Sequence, residues 1–136
     1  MYLLDTNVIV DFCNAKLPEN AENLLLNIGQ PKISVIARIE LFCRANIPAS
    51  EKLKLEQFIR LASVYDVFGL NIINETIRIR QQYKTRLPDA IIAATALVHN
   101  LALITRNTVD FCEIESLRFY KSVYILAKTR PIMVND

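Results

Sequence analysis

The stretch Tyr2-Leu3-Leu4-Asp5-Thr6-Asn7-Val8-Ile9 decides how the rest of the chain is read. Its first residues suit a short buried strand that ends on a carboxylate, and Thr6-Asn7 can cap a helix carrying Val8, Ile9 and Phe12. A strand turning directly into a helix is the opening of an α/β domain. An acid at that point is also well placed for chemistry, because ligands of open α/β sheets bind beyond the carboxyl ends of the strands.

Working outward, the alternation repeats. Glu19 to Ile28 reads as a helix, and Pro31 to Ser34 as a brief strand whose serine can cap a helix over Val35 to Ala45. Pro48 interrupts, and Ser50 begins another helix to about Ala62. Val64 to Phe68 is β-branched and aromatic and predicts a third strand with Asp66 inside it, closed by Gly69. Asn74 is expected to cap a basic helix reaching Tyr83, and Pro88-Asp89 suits the first turn of an alanine-rich helix running to Leu97. Ala102 to Thr105 gives a fourth strand, Arg106 to Asp110 a polar turn, and Ser122 to Ile125 a fifth strand before an irregular tail from Lys128. Parallel strands need crossover helices to connect them. The prediction is therefore one α/β domain over residues 1–136, a short parallel sheet of four to five strands flanked by helices.

Composition excludes several function classes. A chain of 136 residues buries roughly two-thirds of its unfolded surface, enough for one real core. Hydrophobic residues make up 52% of it, which favours some self-association. A net charge of +2 is too small to draw nucleic acid by bulk attraction, so any basic surface must be local. Cys13, Cys43 and Cys112 are odd in number and form no Cys-x-x-Cys pair, so reduced and mostly buried thiols are expected. Two glycines, Gly29 and Gly69, cannot build a Gly-rich phosphate loop, and a single histidine, His99, leaves little for a Ser-His-Asp triad. The start of the chain lacks signal-peptide features and no apolar run approaches the roughly 18 residues of a membrane span, so a cytoplasmic protein is expected.

Four acids remain. Asp5 ends the first strand, Asp89 opens the alanine-rich helix, and Asp110 follows the fourth strand. Glu40 shares a helix face with Ile36, Ile39 and Cys43, where a carboxylate is costly unless paired or metal-bound. Each has a plainer reading: capping for Asp5, Asp89 and Asp110, and a helical ion pair with Arg44 for Glu40. Jointly they imply one acidic pocket, and carboxylates so close raise one another's pKa unless a cation compensates. An all-oxygen set with no neighbouring His or Cys suits Mg²⁺, with Mn²⁺ able to substitute, and disfavours zinc. Such a centre fits phosphodiester hydrolysis by an activated water.

The residues Leu4-Asp5-Thr6-Asn7, Glu40-Leu41, Leu87-Pro88-Asp89-Ala90 running on to Ala96, and Thr105-Arg106-Asn107 reaching Asp110-Phe111 together resemble the PIN domain of VapC-type toxins. The resemblance covers nearly the whole chain. It implies a Mg²⁺- or Mn²⁺-dependent endoribonuclease, a homodimer, and neutralisation by an antitoxin. It places Asp5, Glu40 and Asp89 at the family's three main acidic positions and implies all three as metal ligands, Asp5 and Asp89 foremost. Asp110 or Asn107 completes the set, and Thr6 and Thr105 steady the carboxylates through their hydroxyls.

Arg78, Arg80, Lys84 and Arg86 cluster just before Asp89, with Arg80 and Lys84 four residues apart on one helical face. They either guide an RNA backbone or form a solvated helix face, and Arg106, between the fourth strand and Asn107, is the single basic residue most expected to touch substrate because it sits beside the acidic site. A haloacid-dehalogenase-like phosphatase would need Asp-x-Asp where Asp5-Thr6-Asn7 stands, and a receiver-like phosphoacceptor needs an Asp at the end of strand three. The alternative from another class is a catalytically silent PIN-like module that binds RNA or a protein.

Overall fold

The computed structural model describes residues 1–121, in which five parallel strands alternate with six helices. They run in the order β1 (Tyr2–Leu4), α1 (Thr6–Cys13), α2 (Glu19–Asn27), β2 (Lys32–Ser34), α3 (Val35–Phe42), α4 (Ala49–Leu61), β3 (Ser63–Tyr65), α5 (Leu70–Gln82), α6 (Leu87–Val98), β4 (Ala102–Thr105) and β5 (Phe119–Lys121), with a 3-10 turn at Thr108–Asp110. The sheet order is β3-β2-β1-β4-β5, so the chain leaves β1 toward one edge and later returns to build the other. That reversal lies between β1 and β4, the place where an open α/β sheet leaves a crevice at its carboxyl edge.

Register explains the two-sided core. Leu3 pairs with Leu103 and Leu4 with Ile104, so neighbouring strands send matching side chains to the same face. Leu3, Leu103 and Phe119 pack with Ile72 and Ile79 of α5 and with the alanines of α6. Leu4, Ile33 and Ile104 pack on the other face with Val8, Ala37, Leu41, Leu55 and Phe58. Ala90, Ala93, Ala94 and Ala96 are wholly buried, so the small residues of α6 allow the close helix packing that carries Asp89.

Several sequence expectations are corrected. The third strand stops at Tyr65, because the Asp66 carboxylate accepts the Phe68 N–H at 3.1 Å and closes a turn there. Asp66 thus follows the strand instead of lying within it, but on the edge strand, with β2 standing between β3 and β1. Gly69, not Asn74, precedes α5, and Asn74 lies inside that helix because Ile72, Thr76 and Ile79 continue its buried stripe from the first turn. Helix α3 ends at Phe42, earlier than Ala45. The fifth strand is Phe119–Lys121, and the expectation for Ser122 to Ile125 lies outside the described residues. Cys13 is half-buried and Cys43 and Cys112 are exposed, since the last two sit at a helix end and after the 3-10 turn; all three are free thiols.

The tight seat of α6 yields a direct test. Ala93→Leu adds bulk where there is no room, and should cost about 1–3 kcal/mol. Urea unfolding should show a lower midpoint with the slope unchanged, and an unaltered midpoint would contradict the close packing.

Candidate active site

Asp5 sits where β1 becomes α1. Its backbone N–H donates to the Ile104 carbonyl at 3.0 Å, tying the end of β1 to β4. One carboxylate oxygen, Oδ1, accepts the Thr6 N–H at 2.8 Å and caps α1, while Oδ2 accepts the Thr105 hydroxyl at 2.8 Å. Capping and site placement are thus the work of two different oxygens on one residue. Burial pushes the Asp5 carboxyl above its usual range; the two hydrogen bonds oppose this, and the charges of Asp89 and Glu40 add to it.

Glu40 reaches the same edge from α3. Its Oε1 accepts the Thr6 hydroxyl at 2.8 Å, so Thr6 links the carboxylates of β1 and α3 through its backbone and its side chain. The helical ion pair with Arg44 does not form, because Arg44 turns to Glu51 at 3.0 Å on α4. Nor is the face of Glu40 the apolar face of α3. Ile36 packs against the core, but Ile39 and Cys43 are exposed, and the fully buried residues of the helix, capped by Ser34, are Ala37 and Leu41.

Asp89 stands in the first turn of α6, one residue after Pro88, and is buried with only 6% of its surface exposed. Burial raises its carboxyl above the usual range, the Arg86 guanidinium pulls it down, and Asp110 and Glu40 push it up again. Asp110, in the exposed 3-10 turn, accepts a hydrogen bond from the Asn107 side-chain amide. Asn107 also donates its backbone N–H to the Thr105 hydroxyl at 3.0 Å, so one oxygen joins the turn to Asp5. Asp110 and Asn107 are therefore partners in one network.

The four acids share one edge and feel one another's charge, yet among the described residues no three acidic, histidine or cysteine side chains stand close enough to enclose an ion. Each is drawn to its own partner: Thr105, Thr6, Arg86 or Asn107. The donor set is nevertheless all carboxylate, amide and hydroxyl oxygen, with two buried carboxyls held above their usual range. That chemistry fits a hard divalent cation.

The basic residues are placed less simply. Arg106 donates to both carboxylate oxygens of Asp11, at 3.1 and 3.0 Å, joining β4 to α1. Asp11 is buried and was not singled out in the sequence; the acid six residues after Asp5, on the inner face of α1, was its only signal. Arg78 pairs with Glu75 and donates to Gln82, and Arg80 folds back on the Thr85 carbonyl. Lys84 is exposed and lies beyond α5, because the chain turns extended at Tyr83, so it does not share a helical face with Arg80.

With this geometry, the chain can be compared with known proteins. The PIN domain model matches residues 2–117, and the chain belongs to the PIN domain family. Within that family it is VapC-like. It is similar to a chain of a toxin–antitoxin complex from Klebsiella pneumoniae, with 33% identity over 84% of this chain and 92% of that one and a TM-score of 0.68. It is also similar to chains of VapBC2 from Rickettsia felis bound to a promoter DNA fragment (25% identity, 87% and 96% covered, TM-score 0.72) and of DNA-bound VapBC from Salmonella typhimurium (28%, 87% and 95%, TM-score 0.70). No curated protein sequence matches.

The burial of Asp5 has a measurable consequence. A carboxyl whose folded pKa lies above its unfolded value of about 3.9 favours the fold at low pH, and that advantage is lost as pH rises through the folded value. In EDTA at neutral pH, Asp5→Asn should therefore melt higher than the wild type, and the gap should close on acidification. A variant that melts lower at pH 7 would show that the charge of Asp5 is already compensated.

Proposed function

We propose that this chain is the toxin of a toxin–antitoxin pair and a Mg²⁺-dependent endoribonuclease, with Mn²⁺ able to substitute. The observation that carries this reading is the buried Asp5 carboxylate, held between Thr6 and Thr105 at the β1–β4 switch, with the charges of Glu40 and Asp89 acting on it and that of Asp110 acting on Asp89. Asp5, Glu40 and Asp89 would hold the ion. When bound, the ion would lower the pKa of a water and offset charge on the scissile phosphate and its leaving oxygen. Thr105 and Thr6 fix the directions of Asp5 and Glu40, which limits the reorganisation needed when charge develops. Asn107 holds Asp110 at the rim. The choice of RNA rests on the resemblance to VapC-type toxins.

Two apolar features support the proposed partners. A cavity of about 530 Å³ among α1, α2 and α4, lined by Leu4, Phe12, Leu25, Leu26, Phe58 and Leu61, is suited to an apolar segment of an antitoxin. Phe68 just before α5, Leu70, Ile73 and Ile77 on α5, and Leu87 of α6 are exposed, and support a homodimer. No helix among the described residues is long and apolar enough to cross a membrane.

Purified protein freed of any inhibitor should cleave RNA with Mg²⁺ or Mn²⁺ and not in EDTA. Asp5→Asn and Asp89→Asn should each abolish cleavage while remaining folded, and Thr105→Val should slow it by about 10–100-fold. Full activity in EDTA, or in either folded Asp variant, would overturn the metal assignment. Absence of cleavage under every condition would favour the silent RNA- or protein-binding module.

RNA contact by the basic segment is read from salt. Among the described residues Lys84 has no ion-pair partner, so it is free for phosphate. In the inactive Asp5→Asn background with Ca²⁺ present, Lys84→Ala should flatten the slope of log K against log salt by about 0.7 for single-stranded RNA. An unchanged slope would assign Lys84 to the solvated surface.

A further inference from the structure

Arg86 is the residue immediately before α6, and its guanidinium lies against the acidic site. Its Nε donates to one oxygen of Asp89, Oδ2, at 3.1 Å, and Nη2 lies at ion-pair distance, 3.1 Å, from the same oxygen. Among the described residues, no other Lys or Arg forms an ion pair with Asp5, Glu40, Asp89 or Asp110: Arg44 goes to Glu51, Arg78 to Glu75 and Arg106 to Asp11. The guanidinium also feels the charges of Asp110 and Glu40. It therefore supplies the positive charge that the cluster has when no metal is bound.

Its attachment is loose. The Arg86 side chain is 74% exposed, whereas the side chain of Asp89 is 9% exposed, so the anchor is fixed and the cation is not. An ion pair whose cation is this exposed is screened by water and easily exchanged. A divalent ion ligated by Asp89 competes for the same carboxylate, and an arginine released there keeps a planar fork of donors that matches a phosphate.

We propose that Arg86 is a resident counter-ion of the acidic cluster, displaced from Asp89 when the divalent cation binds and then available to grip the RNA phosphate entering the site. The proposal rests on the metal-dependent nuclease reading and adds to it a competition between a residue of the chain and the ion. Arg86 thereby weakens metal binding and assists cleavage, two effects of opposite sign that a merely stabilising ion pair would not produce together.

The test uses the full chain and MnCl₂ as the probe in titration calorimetry. Arg86→Gln should bind Mn²⁺ roughly three- to tenfold more tightly than the wild type, and Arg86→Lys, which keeps the charge, should stay near the wild type. In an Asp89→Asn background, the gain from Arg86→Gln should shrink. At saturating Mn²⁺, Arg86→Gln should cleave RNA more slowly despite its tighter metal. Unchanged or weaker Mn²⁺ binding by folded Arg86→Gln, with wild-type binding intact, overturns the counter-ion role alone. Tighter binding with undiminished cleavage overturns the phosphate role. Failure of the wild type itself to bind Mn²⁺ overturns the metal reading and this proposal with it.

Discussion

The pairing of β1 with β4 is the constraint on which the site depends. These strands are adjacent in the sheet but about a hundred residues apart in the chain, and their carboxyl ends are joined by the Asp5 N–H on the Ile104 carbonyl and the Thr105 hydroxyl on the Asp5 carboxylate. The first bond fixes the backbone and the second fixes the direction of the charge. From Thr105 the network continues through the Asn107 N–H to Asp110, and from Asp5 through Thr6 to Glu40. Only Asp89 is brought in independently, by α6, whose alanines let that helix settle closely into the core.

The arrangement runs against the ordinary economy of a fold. Buried carboxylates facing one another are disfavoured, and burial is the leading cause that raises both Asp5 and Asp89. A protein that needed these residues only as helix caps could satisfy the cap with serine or asparagine at no electrostatic cost. Acids kept in such electrostatic company cluster at functional sites. Threonine hydroxyls, an asparagine amide and one loosely held arginine hold the residues apart, so the cluster is spread out and hydrogen-bonded, not closed.

Much of this was legible in the sequence, and the reasons are specific. Tyr2-Leu3-Leu4-Asp5 and Ala102 to Thr105 are short apolar runs meeting polar turns, and the fold places both where periodicity and capping put them. Proline and alanine patterning fixed α6 with equal clarity. The failures are local competitions that sequence spacing does not resolve. Asp66 ended a strand by accepting the N–H of Phe68, two residues ahead, Arg44 paired with an acid on the next helix, and α3 buried Ala37 and Leu41 while leaving Ile39 and Cys43 exposed. The Asp11–Arg106 pair spans 95 positions and had no local signature beyond the two residue types.

The central claim is that Asp5, Glu40 and Asp89 take a divalent ion at the β1–β4 switch. Mn²⁺ is paramagnetic, and substoichiometric Mn²⁺ added to the ¹⁵N-labelled protein tests the location without any substrate. The account predicts that the amides of Thr6, Glu40, Asp89 and Thr105 broaden first and together, while those of α2 and β3 remain sharp. Broadening centred anywhere else, or no selective broadening at all, would contradict it.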